Sequence, residues 1–140
     1  MTTSPIASRL PPKLRRAFEG LGVGAAQFGN MGKVTPEQDC LAAVDTAWEL
    51  GLRFYDTAPH YGLGLSEERL GEGLRAAGGE AARVWTKVGR LVVPRAEVAA
   101  GSPDVEWGNT LGDPGCIFPE TDPGRVPLLD YSAAGARRSL

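Results

Sequence analysis

The sequence predicts an α/β fold in which short parallel strands alternate with helices. Strands are favoured by an apolar, small-residue run at 21–30, an aromatic run at 53–57, and the run Arg-Val-Trp-Thr-Lys-Val at 83–88. Two stretches with apolar residues at helical spacing lie between these runs. The order strand, helix, strand, helix, strand favours parallel pairing through right-handed crossovers.

The first strand leads into a helix predicted for residues 36–50. Its small residues suit a strand whose backbone something approaches closely, but the third glycine of a dinucleotide fingerprint is missing, so a Rossmann site is rejected. Thr-Pro-Glu-Gln at 35–38 has the pattern of a capping box with Pro at the first helical position. Apolar residues then recur from Leu41 to Trp48, and Gly51 takes the position that ends the helix.

The second strand is followed by a loop and a helix. Residues 58–64 contain Pro and two Gly, which is typical of a loop. Ser66 is predicted to cap the helix, with Leu65 and Leu70 at the spacing of a hydrophobic staple. The helix is predicted to end at Gly78-Gly79.

Two segments lack a clear period. Residues 1–20 are predicted to form a flexible N-terminal segment, with a short turn or strand at 13–20. Residues 21–140 are predicted to form one folded unit containing a long irregular loop at 89–127. Ser132 is a candidate cap for a third helix at 133–140.

Composition narrows the class of protein. The 140 residues are 42% hydrophobic and 23% charged, as in an ordinary soluble domain. A net charge of −2 gives no footprint for nucleic acid, and no apolar run is long enough for a membrane helix. Cys40 and Cys116 have no metal-site spacing, so we expect no disulfide and no metal, and a reduced, cytoplasmic setting.

Three polar residues fall at matching ends of the second and third predicted strands. Asp56 shares a strand face with Phe54, and Lys87 shares one with Trp85. Neighbouring strands lie about 4.8 Å apart, so Asp56 and Lys87 can meet, and Tyr61 can reach them from its loop. An ammonium favours the phenolate form of a nearby tyrosine, which would let Tyr61 exchange a proton with a carbonyl or an alcohol. The partner step would be hydride transfer from a nicotinamide.

Each of these residues also has an ordinary structural explanation. A loop Tyr often packs, an Asp after a strand often caps a turn, and a Lys near a strand end is usually a solvated charge. Their combination at matching ends of consecutive strands makes a catalytic role comparable in weight to these structural explanations. His60, the one histidine, is either polar surface or part of a substrate pocket beside Tyr61.

The runs at 21–30, Phe-Tyr-Asp-Thr-Ala-Pro-x-Tyr-Gly-x-Gly-x-Ser-Glu-x-x-Leu-Gly at 54–71, and Trp-Thr-Lys-Val-Gly-Arg at 85–90 together resemble the aldo-keto reductase family. The resemblance is to its sugar-dehydrogenase and pyridoxal-dehydrogenase-like branch, and it resumes weakly at 129–140. It implies the N-terminal portion of a (β/α)8 TIM barrel, truncated after about three strands.

The resemblance also implies an activity and its residues. The activity is NAD(P)-dependent interconversion of carbonyls and alcohols on a sugar or small aldehyde, with Tyr61 as acid and base and Lys87 and Asp56 assisting it. The nicotinamide end would contact Gly24, Ala25, Ala26 and Asp56, and we assign His60 and Phe28 to the substrate pocket.

The family's fourth catalytic group, a His after the fourth strand, has no counterpart in the sequence, so we expect little or no activity from this chain alone. The alternative is a non-catalytic half-barrel that pairs with a partner chain. Open strand edges would in either case favour self-association.

Overall fold

The computed structural model describes residues 7–107 and 117–139. The helices and strands follow one another in the order α1 (Pro12–Glu19), β1 (Gly22–Gly24), α2 (Glu37–Glu49), β2 (Phe54–Asp56), α3 (Leu65–Ala76), β3 (Arg83–Trp85), β4 (Arg90–Pro94), β5 (Arg125–Leu129) and α4 (Ala133–Arg138). Short 3-10 turns lie at Ala7–Arg9, Ala26–Gly29 and Arg95–Glu97. Every helix among these residues is too short or too polar to cross a membrane.

The first three strands form the predicted parallel sheet. Their order is β1-β2-β3, and Asp56 of β2 lies opposite Gly24 of β1 and Trp85 of β3. The carboxyl ends of all three strands therefore meet at one edge of the sheet, which we call the carboxyl edge. The alternation of strands and helices along this part of the chain is confirmed.

Helices cover one face of this sheet and leave the other open. Tyr55, in the middle of β2, is 1% exposed and points into a core shared with α2 and α3. The members of that core are Ala25, Phe28, Cys40, Val44, Ala47, Tyr55, Leu70 and Leu74. On the opposite face, the rings of Phe54 and Trp85 meet edge to face at 6.2 Å, and Trp85 is 67% exposed. The sheet thus has the one-sided cover expected of part of a barrel.

The helix ends agree with the sequence at their C-termini. Gly51 follows α2 with a φ of 87°, and its N–H bonds to the Trp48 carbonyl while that of Leu52 bonds to Ala47. These are the two bonds of a Schellman motif, which needs a residue that tolerates positive φ. Gly78, with a φ of 67°, ends α3 in the same way.

The predicted N-terminal caps of α2 and α3 are wrong. Pro36, not Thr35, occupies the cap position of α2, and the Thr35 hydroxyl has no partner among the described residues. A capping hydroxyl at Thr35 would accept the N–H of Glu37 or Gln38, and no such bond is present among the described residues. Helix α3 starts at Leu65 after the left-handed Gly64, and Ser66 lies inside the helix with a buried side chain.

Two stretches have more regular structure than predicted. Residues 12–19 form α1 instead of a turn or strand, while the flexibility of the 1–20 segment stays a prediction. The stretch 89–127, expected to be irregular, contributes β4 and the start of β5, which pair antiparallel from Arg90 with Leu129 to Pro94 with Arg125. The buried residues of β4 alternate, but its partner is remote in sequence, so no local turn signal marks the pair. Residues 108–116, with Cys116, lie outside the described residues.

The β4–β5 ribbon has a small core of its own. Leu91, Val93, Val105 and Val126 are buried in it, and Trp107 packs against them. Arg125 anchors the ribbon to α3 through a 2.6 Å ion pair with Glu68. After β5, the Ser132 hydroxyl accepts a hydrogen bond from the Gly135 N–H, which confirms Ser132 as the cap of α4. The ribbon is therefore held beside the carboxyl edge.

Candidate active site

Backbone hydrogen bonds between neighbouring segments continue past the ends of the strands at the carboxyl edge. The Ala25 N–H donates to the Asp56 carbonyl, and the Thr57 N–H donates to the Trp85 carbonyl, each at 2.8 Å. Lys87 lies two residues past the end of β3, so it continues the face of Trp85. This face also carries Asp56, because Asp56 and Trp85 are register partners.

Asp56 and Lys87 form a close ion pair at this edge. The Lys87 ammonium donates to both carboxylate oxygens of Asp56, at 2.7 and 2.8 Å, and to the Thr57 carbonyl at 2.8 Å. Both side chains are about half exposed. Partial burial works to lower the pKa of Lys87, but the hydrogen bond to Asp56 and the nearby Tyr61 outweigh it and raise that pKa. Lys87 is therefore a fixed cation over the physiological pH range.

Tyr61 meets this pair from the loop after β2. The Lys87 Nζ atom lies 5.3 Å from the centroid of the Tyr61 ring. The Tyr61 carbonyl accepts the Ser66 N–H at 3.1 Å, and Gly29 lies so close to the Tyr61 backbone that any side chain at position 29 would collide with it. Phe118 packs on the ring with centroids 5.9 Å apart. The structure thus brings together the three polar residues that the sequence analysis predicted to meet.

A buried chain of hydroxyls fixes the loops around this trio. The Ser66 hydroxyl donates to the Ala25 carbonyl at 2.6 Å and lies 2.9 Å from the Thr57 hydroxyl. Because Ser66 has used its proton on Ala25, Thr57 is the donor in the second bond. Sequence reasoning missed this role and assigned Ser66 to a helix cap. The sequence offers only a weak signal for this role: Ser66 is the second residue of a helix whose cap position is taken by Gly64.

Beyond Tyr61, a cavity of about 380 Å³ opens between the loop and the ribbon. Its polar lining comes from His60, Tyr61, Lys87, Arg90 and Tyr131. His60 is partly buried, and burial together with the positive charge of Arg90 lowers its pKa, although Glu106 opposes the shift. The imidazole is consequently neutral at pH 7.

The two residues predicted to line the substrate pocket lie in different places. His60 lines the cavity, as expected. Phe28 does not: its side chain is 6% exposed and packs in the core under the sheet. The assignment of Phe28 to the substrate pocket is corrected on this ground, because a side chain that fills the core has no surface left for a ligand. Arg90 and Tyr131 were not predicted.

Of the residues predicted to contact a nicotinamide, Gly24 and Asp56 line a second cavity. This open cavity of about 490 Å³ is lined by residues that include Gly24, Phe54, Asp56 and Trp85. No atom lies within 4 Å of where a side chain at Gly24 would begin, so the backbone there is open to a flat ring. Ala25 is fully buried and both of its backbone polar groups are bonded internally, so of the three predicted loop residues only Gly24 and the partly exposed Ala26 are accessible.

Comparison with known proteins identifies related sequences. A model of the Aldo/keto reductase family matches residues 20–111. D-threo-aldose 1-dehydrogenase from a Pseudomonas species is 47% identical over 81 residues, which cover 58% of this chain and 25% of that protein. Pyridoxal 4-dehydrogenase from Microbacterium luteolum is 40% identical over 127 residues, covering 86% of this chain and 33% of that protein. L-galactose dehydrogenase from Arabidopsis thaliana is 45% identical over 56 residues, which are 40% of this chain and 18% of that protein.

Solved structures give the same match. A structure assigned as an aldo-keto reductase from Pseudomonas aeruginosa superposes with a TM-score of 0.50 and 28% sequence identity. The superposition covers 86% of this chain and 36% of that one. The chain thus spans between a quarter and a third of the first two curated relatives that it matches.

Proposed function

Because the chain belongs to the aldo/keto reductase family, we propose that it carries the acid–base residues of an NAD(P)-dependent oxidoreductase acting on a sugar or small aldehyde. The single observation that supports this most is the contact of one ammonium with both a carboxylate and a phenol ring. Lys87 bonds both oxygens of Asp56 and lies 5.3 Å from the Tyr61 ring centroid.

In the proposed mechanism, Tyr61 moves the proton. Its hydroxyl would donate to a carbonyl oxygen, or accept from an alcohol, in the cavity that it lines. Lys87 would stabilise the phenolate left behind, since an adjacent positive charge favours the ionised form. Asp56 keeps the Lys87 side chain in place with two hydrogen bonds.

The nicotinamide cofactor, when bound, would supply or accept the hydride, which no side chain can do. The residues present fit its ring: Gly24 offers open backbone at the carboxyl edge, and Asp56 lies beside it in the same register. Gly24, Ala26 and Asp56 would hold the ring, with Ala25 supporting the loop from beneath. The cavity lined by Gly24 and Asp56, where the ring would bind, shares no lining residue with the cavity of Tyr61, where the substrate would bind.

The proposal is tested in a chimera in which residues 21–90 replace the corresponding segment of the Pseudomonas D-threo-aldose 1-dehydrogenase. We expect the chimera to reduce NAD(P)⁺ with an aldose, and Tyr61→Phe to lower the rate roughly hundredfold to ten-thousandfold. Tyr55→Phe is the matched control, because it also removes one phenol oxygen, but from the buried core. The 140-residue chain alone is expected to show little or no turnover.

Two results would count against the proposal. One is a folded, cofactor-binding chimera without activity. The other is equal activity in the Tyr61→Phe and Tyr55→Phe variants. Turnover by the 140-residue chain alone would contradict only the expectation that this chain has little or no activity by itself.

A second candidate function is a non-catalytic half-barrel that pairs with a partner chain. The observation that favours it is the open apolar face of the sheet, where Trp85 is 67% exposed. Size-exclusion chromatography of the 140-residue chain discriminates the two: a stable complex that survives Tyr61→Phe and shows no reductase activity supports the pairing module. Aldose-dependent activity in that complex supports the oxidoreductase.

A further inference from the structure

Phe118 contacts the side chains of the cavity beside Tyr61 without lining that cavity. It is 3% exposed, and the described residues that line the cavity do not include it. Its ring centroid lies 5.9 Å from that of Tyr61 and 5.3 Å from that of His60, and both of these side chains do line the cavity. Phe118 therefore touches the candidate acid and base from outside the space where a substrate would bind.

The Tyr61 backbone is fixed by its loop, but the loop does not fix the phenol ring. The Tyr61 N–H donates to the Ala58 carbonyl at 3.0 Å, and its carbonyl accepts the Ser66 N–H at 3.1 Å. A Cβ atom at Gly62 would lie 2.6 Å from the Gly29 carbonyl oxygen, so the loop after β1 packs directly against the loop of Tyr61. These contacts set the position of the backbone, whereas the side-chain torsions can still move between rotamers. The direction of the phenol depends on what the ring touches.

Lys87 and Phe118 both contact the Tyr61 ring, and they differ in rigidity. The Lys87 Nζ atom lies 5.3 Å from the ring centroid, but the Lys87 side chain is 48% exposed and has a flexible four-carbon stem. Phe118 is buried and planar, and aromatic pairs favour offset or inclined geometries with centroids about 4.5–7 Å apart. The planes of Phe118 and Tyr61 are inclined by 34° at 5.9 Å, which fits this preference. Phe118 is therefore the neighbour that can limit rotation of the phenol.

The backbone on either side of Phe118 is bonded to the loop after β1. The Gly32 N–H donates to the Ile117 carbonyl at 2.7 Å. The side-chain amide of Asn30 donates to the Pro119 carbonyl at 3.4 Å. The carbonyls directly before and directly after Phe118 are thus both held by one loop.

Asn30 is itself fixed in this loop. It is 1% exposed, and its Oδ1 atom accepts hydrogen bonds from the Thr35 N–H at 3.0 Å and from the Arg69 guanidinium at 3.1 Å. The loop that holds Phe118 is also the loop that packs against the backbone of Tyr61. The positions of the two rings relative to each other are consequently set through one shared segment.

We propose that Phe118 is a positioning residue that holds the Tyr61 phenol beside the Lys87 ammonium. It acts through Tyr61, and the inference rests on the proposed function for the role of Tyr61 in proton transfer. A proton passes between the phenol and a carbonyl or alcohol only within hydrogen-bond reach. Misplacing a reacting group by about 1 Å can cost about a hundredfold in rate, so a rigid neighbour of the ring has a direct effect on turnover.

The experiment follows the contact between Lys87 and Tyr61 in the 140-residue chain. Its signal is the nuclear Overhauser effect between the ε-methylene protons of Lys87 and the ring protons of Tyr61. We expect this effect in the unmodified chain and its loss in Phe118→Met, which fills the space with a flexible side chain. Phe28→Met is the matched control, because Phe28 is also buried, at 6% exposed, but packs in the core under the sheet. It should keep the effect.

A kinetic measurement separates positioning from substrate binding. It uses a chimera in which residues 21–140 replace the corresponding segment of the Microbacterium luteolum pyridoxal 4-dehydrogenase, whose match covers 86% of this chain. Phe118→Met should lower kcat about tenfold to hundredfold. KM should not change, because Phe118 does not line the cavity. Phe28→Met should leave both constants as they are.

The proposal is overturned if the unmodified chain lacks the Lys87–Tyr61 effect, if Phe118→Met keeps it, or if Phe28→Met loses it as well. Circular dichroism checks the fold, and Phe118→Leu replaces a Phe118→Met chain that does not fold. Unfolding of both would assign Phe118 to the stability of the whole chain and would also overturn the proposal.

The two proposals fail in different ways. An active chimera whose kcat does not respond to Phe118→Met sinks this inference and leaves the proposed function standing. Loss of the Lys87–Tyr61 effect in Phe118→Met, together with an inactive chimera, does the reverse.

Discussion

At the residue scale, the hydroxyls of Thr57 and Ser66 connect the core to the candidate active site. Thr57 is the residue after Asp56, and its carbonyl accepts a hydrogen bond from Lys87 while its hydroxyl donates to Ser66. Ser66 in turn bonds the Ala25 carbonyl, beside the open backbone of Gly24. Ala25, Thr57 and Ser66 are all buried, so water cannot readily replace a missing hydrogen-bond partner.

Ser66→Ala is accordingly expected to reduce the free energy of unfolding by about 1–3 kcal/mol, since it leaves a buried acceptor and a buried donor unsatisfied. Thr57→Val added to Ser66→Ala should cost less than the sum of the two single changes, because the pair then has no unpaired hydroxyl. Urea unfolding followed by circular dichroism gives the four stabilities of this cycle. Strict additivity would show that the two hydroxyls are not coupled.

His60 gives a pH dependence of stability at the acid side. Burial and the Arg90 charge lower its pKa in the folded chain, while an unfolded histidine titrates near about 6.5. Between these two pKa values the unfolded chain binds more protons than the folded chain. The contribution of His60 to the free energy of unfolding is therefore fully present above about pH 6.5, and it is lost as the pH falls toward the lowered pKa.

Urea midpoints measured from neutral to mildly acid pH should show this fall in the unmodified chain, and His60→Gln should remove that component. An identical acid profile in both would mean that burial and the opposing charges of Arg90 and Glu106 do not lower the pKa of His60. Lys87 provides an internal reference, because its raised pKa affects stability in the alkaline range alone.

At the scale of elements, the packing of α2 against α3 depends on a glycine. A Cβ atom at Gly73 would lie 2.9 Å from Cβ and 3.0 Å from Cγ2 of Val44. Val44 is fully buried and branched at Cβ, so it has little freedom to move aside. Gly71, on the same helix, meets nothing closer than the flexible end of Arg75 at 3.6 Å.

Gly73→Ala is therefore expected to destabilise the chain by about 1–3 kcal/mol, through forced separation of the two helices. Gly71→Ala should stabilise it by about 0.5–1 kcal/mol, because alanine replaces a flexible glycine inside a helix. Both values come from thermal or urea unfolding of the two variants beside the unmodified chain. Equal signs for the two changes would contradict the close approach at Val44.

The elements that sequence predicts well are those specified by local physics. The αL glycines at 51 and 78 and the helical apolar spacing of α2 depend on neighbours in sequence, and the structure confirms them. The β4–β5 ribbon depends on a partner more than thirty residues away, so its alternation was read as an irregular loop. The predicted cap of α2 is wrong although Thr35 and Pro36 favour the same start, because the Thr35 hydroxyl makes no capping bond in the folded chain.

The same division holds for the candidate site. Asp56 and Lys87 could be placed together from strand alternation, since register and face follow from the two-residue period. Arg90 could not be, because its position in the cavity follows from a ribbon that only tertiary contacts specify. Phe28 was misplaced for a similar reason: an aromatic after a strand fits a pocket or a core equally well until the helices are packed.

At the scale of the whole molecule, the sheet presents an apolar face that its own helices do not cover. Phe54 and Trp85 lie on that face around an open cavity of about 490 Å³, and β1 and β3 are edge strands of the described sheet. Parallel sheets are normally covered on both faces, and exposed apolar patches near strand edges favour association. We therefore expect the 140-residue chain to self-associate through this face.

Trp85→Lys should then shift the chain toward monomer in sedimentation velocity, because a charge on the open face opposes burial against a second copy. Its free energy of unfolding should change little, since Trp85 is 67% exposed and contributes little to the core. Leu14→Lys, which places the same charge on α1 at a residue 57% exposed, is the control and should leave the association unchanged. If both variants associate as the unmodified chain does, the open face is not the surface through which copies meet, and the edge strands become the remaining candidates.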